Sequence, residues 1–139
     1  MKVLYSTQMI NNGGRNGQSF SPDGSFSWDV ATPKEMGGNN TKATNPEQLF
    51  AAGYGACFHG ALELVLSKAR VTYESSKVTA TVSLIEDPVD KGFKIAVRMQ
   101  VSIKGLDKET TEKYVKLAHT VCPYSKATKG NIDVELEVV

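Results

Sequence analysis

Apolar and polar residues alternate at the start of the chain, where Val3, Tyr5 and Thr7 predict an opening strand. Asn11 to Gly14 (NNGG) is a hairpin-type turn signal, and Gly17 predicts a loose stretch after it. Phe26, Trp28 and Val30 alternate again behind a Pro22-Asp23-Gly24 turn and predict a second short strand. Met36 to Thr44 (MGGNNTKAT) has no periodicity and predicts a polar loop.

The period then changes. Asn45, Pro46 and Glu47 have the chemistry of a helix start: an N-cap, a proline at the first helical position and an acid in the first turn. Leu49, Phe50, Tyr54, Phe58, Ala61, Leu62, Val65 and Leu66 follow at spacings dominated by three and four, predicting a long buried helix to about Arg70. Gly53, Gly55 and Gly60 lie inside it, each costing about 1 kcal/mol relative to alanine. A helix or ligand packed very close would offset that cost.

Val78, Ala80, Val82 and Leu84 alternate with Thr and Ser. Ile95, Val97, Met99, Val101 and Ile103 do the same after Asp90-Lys91-Gly92, predicting an antiparallel hairpin. Asp107 to about Thr120 predicts a second helix with Tyr114, Val115 and Ala118 in the core. It ends near Val121-Cys122-Pro123, because a residue before proline is pushed out of helical geometry. Asn131 to Val139 alternates and predicts a last strand. The predicted class is α+β, with helices laid against an antiparallel sheet.

Composition adds boundaries. The chain has 139 residues, 40% of them hydrophobic, which suits one domain over 1–139 with a core of its own. Sixteen basic residues against fifteen acidic ones leave no basic excess for nucleic acid. Met1 to Ile10 lacks the apolar core of an export signal. No stretch approaches the roughly 20 apolar residues of a membrane span, so a cytoplasmic, membrane-free location is expected. In that compartment a pair of cysteines is expected to bond transiently and catalytically, if at all.

Those cysteines differ in setting. Cys57 lies in the middle of the long helix, where a cysteine is often a small buried hydrophobe. Gly53 and Ala61, four residues to either side, share its face and leave the sulfur in an uncrowded niche. Cys122 lies beyond a helix end, suited either to packing at a tight turn or to resolving an oxidised partner thiol. His59 and His119 extend the pattern to a set of metal-ligand type. Cys57 and His59, two apart on a helix, point to different sides, which argues against four converging zinc ligands. Arg15 is a cation on a glycine turn, and Glu47 is an acid well placed at a helix N-terminus.

Thr32-Pro33-Lys34-Glu35, Thr44 to Phe58 (TNPEQLFAAGYGACF), His119 to Ser125 (HTVCPYS), Ala127 to Val134 (ATKGNIDV) and the turn from Gly13 to Gly17 together form a recognisable set. On these segments the chain resembles the organic hydroperoxide resistance (Ohr) proteins of the OsmC superfamily, essentially from end to end. The resemblance implies an intertwined homodimer and a thiol-dependent peroxidase acting on organic and lipid hydroperoxides. It implies reduction by a lipoylated protein or another dithiol, with no cofactor, metal or haem. By position, Cys57 matches the peroxidatic cysteine, Cys122 the resolving cysteine, and Arg15 with Glu47 the active-site pair. An OsmC-type peroxidase of broader substrate range is the alternative within that chemistry. A non-catalytic small-ligand-binding domain on the same fold is the alternative outside it.

One expectation comes from helix geometry. Glu47 and Cys57 are ten positions apart, so on a continuous helix they stand about 15 Å apart along its axis. The acid, with Arg15, is therefore expected to serve the cysteine of a second subunit.

Overall fold

The computed structural model describes residues 1–139. Internal contacts group into two compact units, Met1–Leu49 and Phe50–Val139.

The first unit is a three-stranded antiparallel sheet of β1 (Ile10–Asn12), β2 (Gly17–Phe20) and β3 (Ser27–Val30), in that order. The β1–β2 turn needs positive φ at Gly13 and Gly14, which glycine adopts without strain. The Asn11 side chain locks it, accepting from the Gly14 N–H at 2.9 Å and donating to the Gly14 carbonyl at 3.2 Å. Gly17, expected in a loose stretch, opens β2 instead. The opening strand expected around Val3, Tyr5 and Thr7 does not form, and residues 1–9 carry no regular element. Alternation prepares a segment to pair, but no strand of this chain lies beside it, so Val3, Leu4 and Tyr5 stay exposed. Phe26 and Trp28 are exposed too, their rings stacked at 6.4 Å.

Helix α1 runs Pro46–Lys68, close to the predicted span. Asn45 caps it, its Oδ1 accepting from the Gln48 N–H at 2.8 Å. Its residues from Phe50 onward pack in the second unit with β4 (Ser75–Glu86), β5 (Phe93–Lys104), α2 (Lys108–Val121), α3 (Pro123–Thr128) and β6 (Val134–Val138). Asp107 caps α2, its side chain accepting from the Thr110 N–H at 2.7 Å. The sheet order is β4-β5-β6, and β4 pairs with β5 as the predicted hairpin.

Two features of the second unit's chain path also depart from the sequence expectation. The last strand runs parallel to β5, Val97 facing Val134 and Val101 facing Val138. Parallel neighbours need a crossover, and α2 with α3 forms it. The chain also turns helical again directly after Cys122, because a proline at the first helical position starts a helix as readily as it stops one.

Tyr54, Phe58, Leu62 and Leu66 line the inner face of α1 and are fully buried with Met99, Val101 and Ala118. Each large side chain removed from water here contributes about 1.5–3 kcal/mol. The other face of α1 leaves Ala52, Ala56, Gly60 and Leu64 exposed. By length and composition alone α1 would suffice to cross a membrane, which corrects the expectation that no stretch approaches that limit. Only 33% of its most apolar window is buried within the chain.

Candidate functional site

Arg15 reaches the side chain of Glu47 from the β1–β2 turn. Its Nη1 donates to Oε2 at 3.0 Å and its Nη2 to Oε1 at 2.6 Å, a two-pronged fork between planar groups. The guanidinium holds the Glu47 carboxyl below its ordinary range, and the carboxylate raises Arg15 in return. The Glu47 side chain is 15% exposed and that of Arg15 40%, so the pair sits at a surface with one partner mostly covered.

Cys57 and Cys122 meet as well. Their sulfurs lie 3.4 Å apart and share a hydrogen bond, a dithiol one short movement from the roughly 2.05 Å of a disulfide. Cys57 is partly exposed, whereas Cys122 is fully buried. Cys122, expected just beyond a helix end, is a joint between two helices. Its extended backbone (φ −59°, ψ 123°) separates α2 from α3, and its sulfur accepts from the Ser125 N–H at 3.5 Å. Burial pushes the Cys57 thiol up. The backbone of Tyr124 works the other way, and the neighbouring Cys122 adds to the rise.

Tyr124 is the residue that sequence reasoning missed. A Cβ on Gly53 would lie 2.9 Å from its hydroxyl, so the mid-helix glycine is matched by a close approach from α3. Its ring also sits 6.2 Å from Phe50 and 5.7 Å from Tyr54. The helix-breaking cost at Gly53 was the available signal, since it required a neighbour packed very close.

The histidines go separate ways. His59 Nε2 lies 2.7 Å from Ser76 Oγ and 3.7 Å from Glu63 Oε1. His119 Nδ1 lies 2.8 Å from Ser125 Oγ, and burial lowers its pKa, with Lys129 adding a smaller push. Nowhere do three or more His, Cys, Asp or Glu side chains gather in a way that could hold a metal ion.

Helix α3, which begins directly after Cys122, walls a cavity of about 440 Å³, lined by Phe50, Ile95, Pro123, Tyr124, Ala127 and Ile132 among others. Its walls are apolar, the composition of a site for a hydrocarbon chain. Phe50 is two turns before Cys57 on α1, and Tyr124 contributes to the wall while its backbone lowers the Cys57 pKa.

The chain as a whole is similar to known proteins. The OsmC-like protein family model matches residues 37–137. An organic hydroperoxide resistance protein-like 2 of Staphylococcus epidermidis is 52% identical over 135 residues, covering 97% of this chain and 95% of that one. The organic hydroperoxide resistance protein OhrA of Bacillus subtilis is 51% identical over 136 residues, covering 97% and 96%. The crystal structure of OhrB from the same organism superposes with a TM-score of 0.89 at 45% identity, over 99% of this chain and 100% of that one.

Proposed function

Because the chain belongs to the OsmC-like family, within which it is an Ohr-type member, we propose that it is a cysteine-based peroxidase reducing organic hydroperoxides to alcohols. The observation that carries this reading is the 3.4 Å approach of Cys57 to Cys122. Two thiols at that distance, one reachable and one buried, suit a nucleophile and its resolving partner.

The chemistry balances on those two sulfurs. The Cys57 thiolate attacks the terminal peroxide oxygen, and the O–O bond breaks. The alkoxide leaves with a proton as the alcohol, and Cys57 becomes a sulfenic acid. The Cys122 thiol then attacks that sulfur, a disulfide forms, and the hydroxyl departs as water with the thiol proton. An external dithiol, such as a lipoylated protein, returns both cysteines to thiols by exchange and is itself oxidised to a disulfide.

Arg15 supplies positive charge that favours the Cys57 thiolate against burial and polarises the peroxide, while Glu47 fixes the orientation of the guanidinium. The apolar cavity takes the organic part of the substrate, which favours alkyl and lipid hydroperoxides over hydrogen peroxide.

The active form in this reading is a homodimer, whose subunits are each one domain over 1–139. Three exposed features support it. The uncovered face of α1 is made of small residues, Ala52, Ala56 and Gly60, that allow a second helix close approach. β4 is a twelve-residue strand paired only with β5. The apolar segment Val3–Tyr5 has no cover within the chain. Glu47 opens α1 and Cys57 lies ten residues on, about 15 Å along the axis, so Arg15 and Glu47 serve the partner's cysteine. The cytoplasm, where dithiol reductants are available, is the compartment this cycle requires.

Steady consumption of cumene hydroperoxide with dihydrolipoamide as reductant tests the proposal. Activity in the wild type and its loss in Cys57→Ser are expected. An inert wild type, or an active Cys57→Ser, overturns the peroxidase reading; a preference for hydrogen peroxide overturns the substrate class.

A further inference from the structure

Cys122 is held by a short helix that cannot hold itself. Six residues, Pro123–Thr128, are far too few for a helix to persist on its own propensity. The break at Cys122 also frees α3 from the axis of α2. Contacts with the rest of the unit must therefore fix where α3 lies, and with it the resolving sulfur.

The polar part of that fixation converges on Ser125, which is 1% exposed. Its hydroxyl lies 2.9 Å from Tyr54 Oη on α1 and 2.8 Å from His119 Nδ1 on α2. Tyr54 Oη lies 3.2 Å from Thr128 Oγ1, which donates to the Ser125 carbonyl at 3.1 Å. The backbone N–H of the same serine reaches Cys122 Sγ.

One arrangement of protons satisfies every one of these bonds. His119 Nδ1–H donates to Ser125, Ser125 to Tyr54, Tyr54 to Thr128, and Thr128 to the Ser125 carbonyl. Each hydroxyl then donates once and accepts once. The reverse order would take the Thr128 proton away from the carbonyl. The chain of bonds thus places a proton on His119 Nδ1, and burial favours the neutral form of the ring.

We propose that Ser125, Tyr54 and His119 are positioning residues for resolution: their network pins α3 so that Cys122 Sγ stays poised over Cys57. This rests on the peroxidase reading above, with Cys122 as the resolving thiol. The step it governs is attack of the Cys122 thiol on the Cys57 sulfenic acid, giving the disulfide and water. Without the pin, the first oxidation at Cys57 is unaffected while closure is delayed. The waiting sulfenic acid then takes oxygen from a second hydroperoxide molecule, which leaves as alcohol, and becomes sulfinic acid.

The test separates the two steps in the full-length protein. Reduced protein is mixed with one equivalent of cumene hydroperoxide. Loss of peroxide reports the first step, and the mass of quenched, alkylated protein reports disulfide and sulfinic acid. Tyr54→Phe and Ser125→Ala are expected to consume peroxide at the wild-type rate but close the disulfide about tenfold to a hundredfold more slowly, the scale of a small misplacement. With excess peroxide they accumulate sulfinic acid. His119→Asn, whose amide N–H takes the place of Nδ1–H, is expected to close at nearly the wild-type rate, and His119→Leu slowly. Should Ser125→Ala not fold, Tyr54→Phe carries the test, since it removes one oxygen and no carbon. Wild-type closure in Tyr54→Phe and Ser125→Ala overturns the proposal, as does equal slowing of both steps. A wild type that consumes peroxide without forming the Cys57–Cys122 disulfide overturns instead the resolving role on which it rests.

Discussion

Arg15 and Glu47, thirty-two residues apart in the chain, are joined through the two terminal guanidinium nitrogens and both carboxylate oxygens, at 3.0 and 2.6 Å. The fork constrains direction as well as distance, which a single point charge does not. An ion pair this exposed contributes at most about 1 kcal/mol to stability. The expected signature of Glu47→Ala is therefore a nearly unchanged melting temperature with kcat/KM for cumene hydroperoxide lower by about tenfold to a hundredfold. Arg15→Lys keeps the charge, loses the fork and is expected to fall as far. Full activity in Arg15→Lys would show that charge alone suffices.

The same reading predicts complementation. A heterodimer of Cys57→Ser and Glu47→Ala subunits, the first inactive and the second impaired as a homodimer, carries one complete constellation if sites are shared between subunits. Activity is expected to recover on mixing and subunit exchange. No recovery in a verified heterodimer places Arg15 and Glu47 with the cysteine of their own chain.

Gly53 and Tyr124 predict a coupling. Alanine at position 53 gains about 1 kcal/mol of helix propensity. Its Cβ, however, meets the Tyr124 hydroxyl at 2.9 Å, while the nearest ring carbons stand at 3.4 Å. Urea unfolding should show little net stabilisation by Gly53→Ala in the wild type and most of the gain in Tyr124→Phe, where the oxygen is absent. Equal effects in both backgrounds would deny the contact its cost.

His119 sets a pH dependence. Its folded pKa lies below the ordinary value of 6.5, chiefly through burial. Between the folded and unfolded values the unfolded chain binds more protons, so stability rises with pH across that window. The contribution is complete above 6.5 and is lost as pH falls through the lower folded value. Thermal melts from about pH 8 to about pH 5 should show this slope in the wild type and a flatter one in His119→Asn. Identical slopes would remove His119 as its source.

Much of this organisation is written in local pattern. Asn45 and Asp107 announce their helices because a cap is a matter of a few neighbouring residues, and β4 and β5 are visible through period-two alternation. What alternation does not carry is direction, so β6 reads as a strand while its parallel pairing with β5 does not. Nor does it carry a partner, which is why Val3, Tyr5 and Thr7 read as a strand the chain alone does not form. Arg15, Glu47, Cys57 and Cys122 stand out by chemistry and resemblance. Tyr54 and Ser125, seventy-one residues apart, do not, because hydroxyls of such common types meet only through tertiary packing.

Cys122 lies in the crossover between two parallel strands, and this gives the protein a sequence of events during its own synthesis. The two cysteines are sixty-five residues apart. At about 5–20 residues per second, Cys57 is made roughly 3–13 s before its partner. The crossover closes only after β6 has been made and docks beside β5. Until then the crossover gives Cys122 no fixed place over Cys57. On the peroxidase reading, a nascent chain that meets hydroperoxide at this stage is oxidised at Cys57 without a resolving thiol in place. Translation stalled between α2 and β6 would yield chains whose Cys57 goes on to sulfinic acid in place of the disulfide.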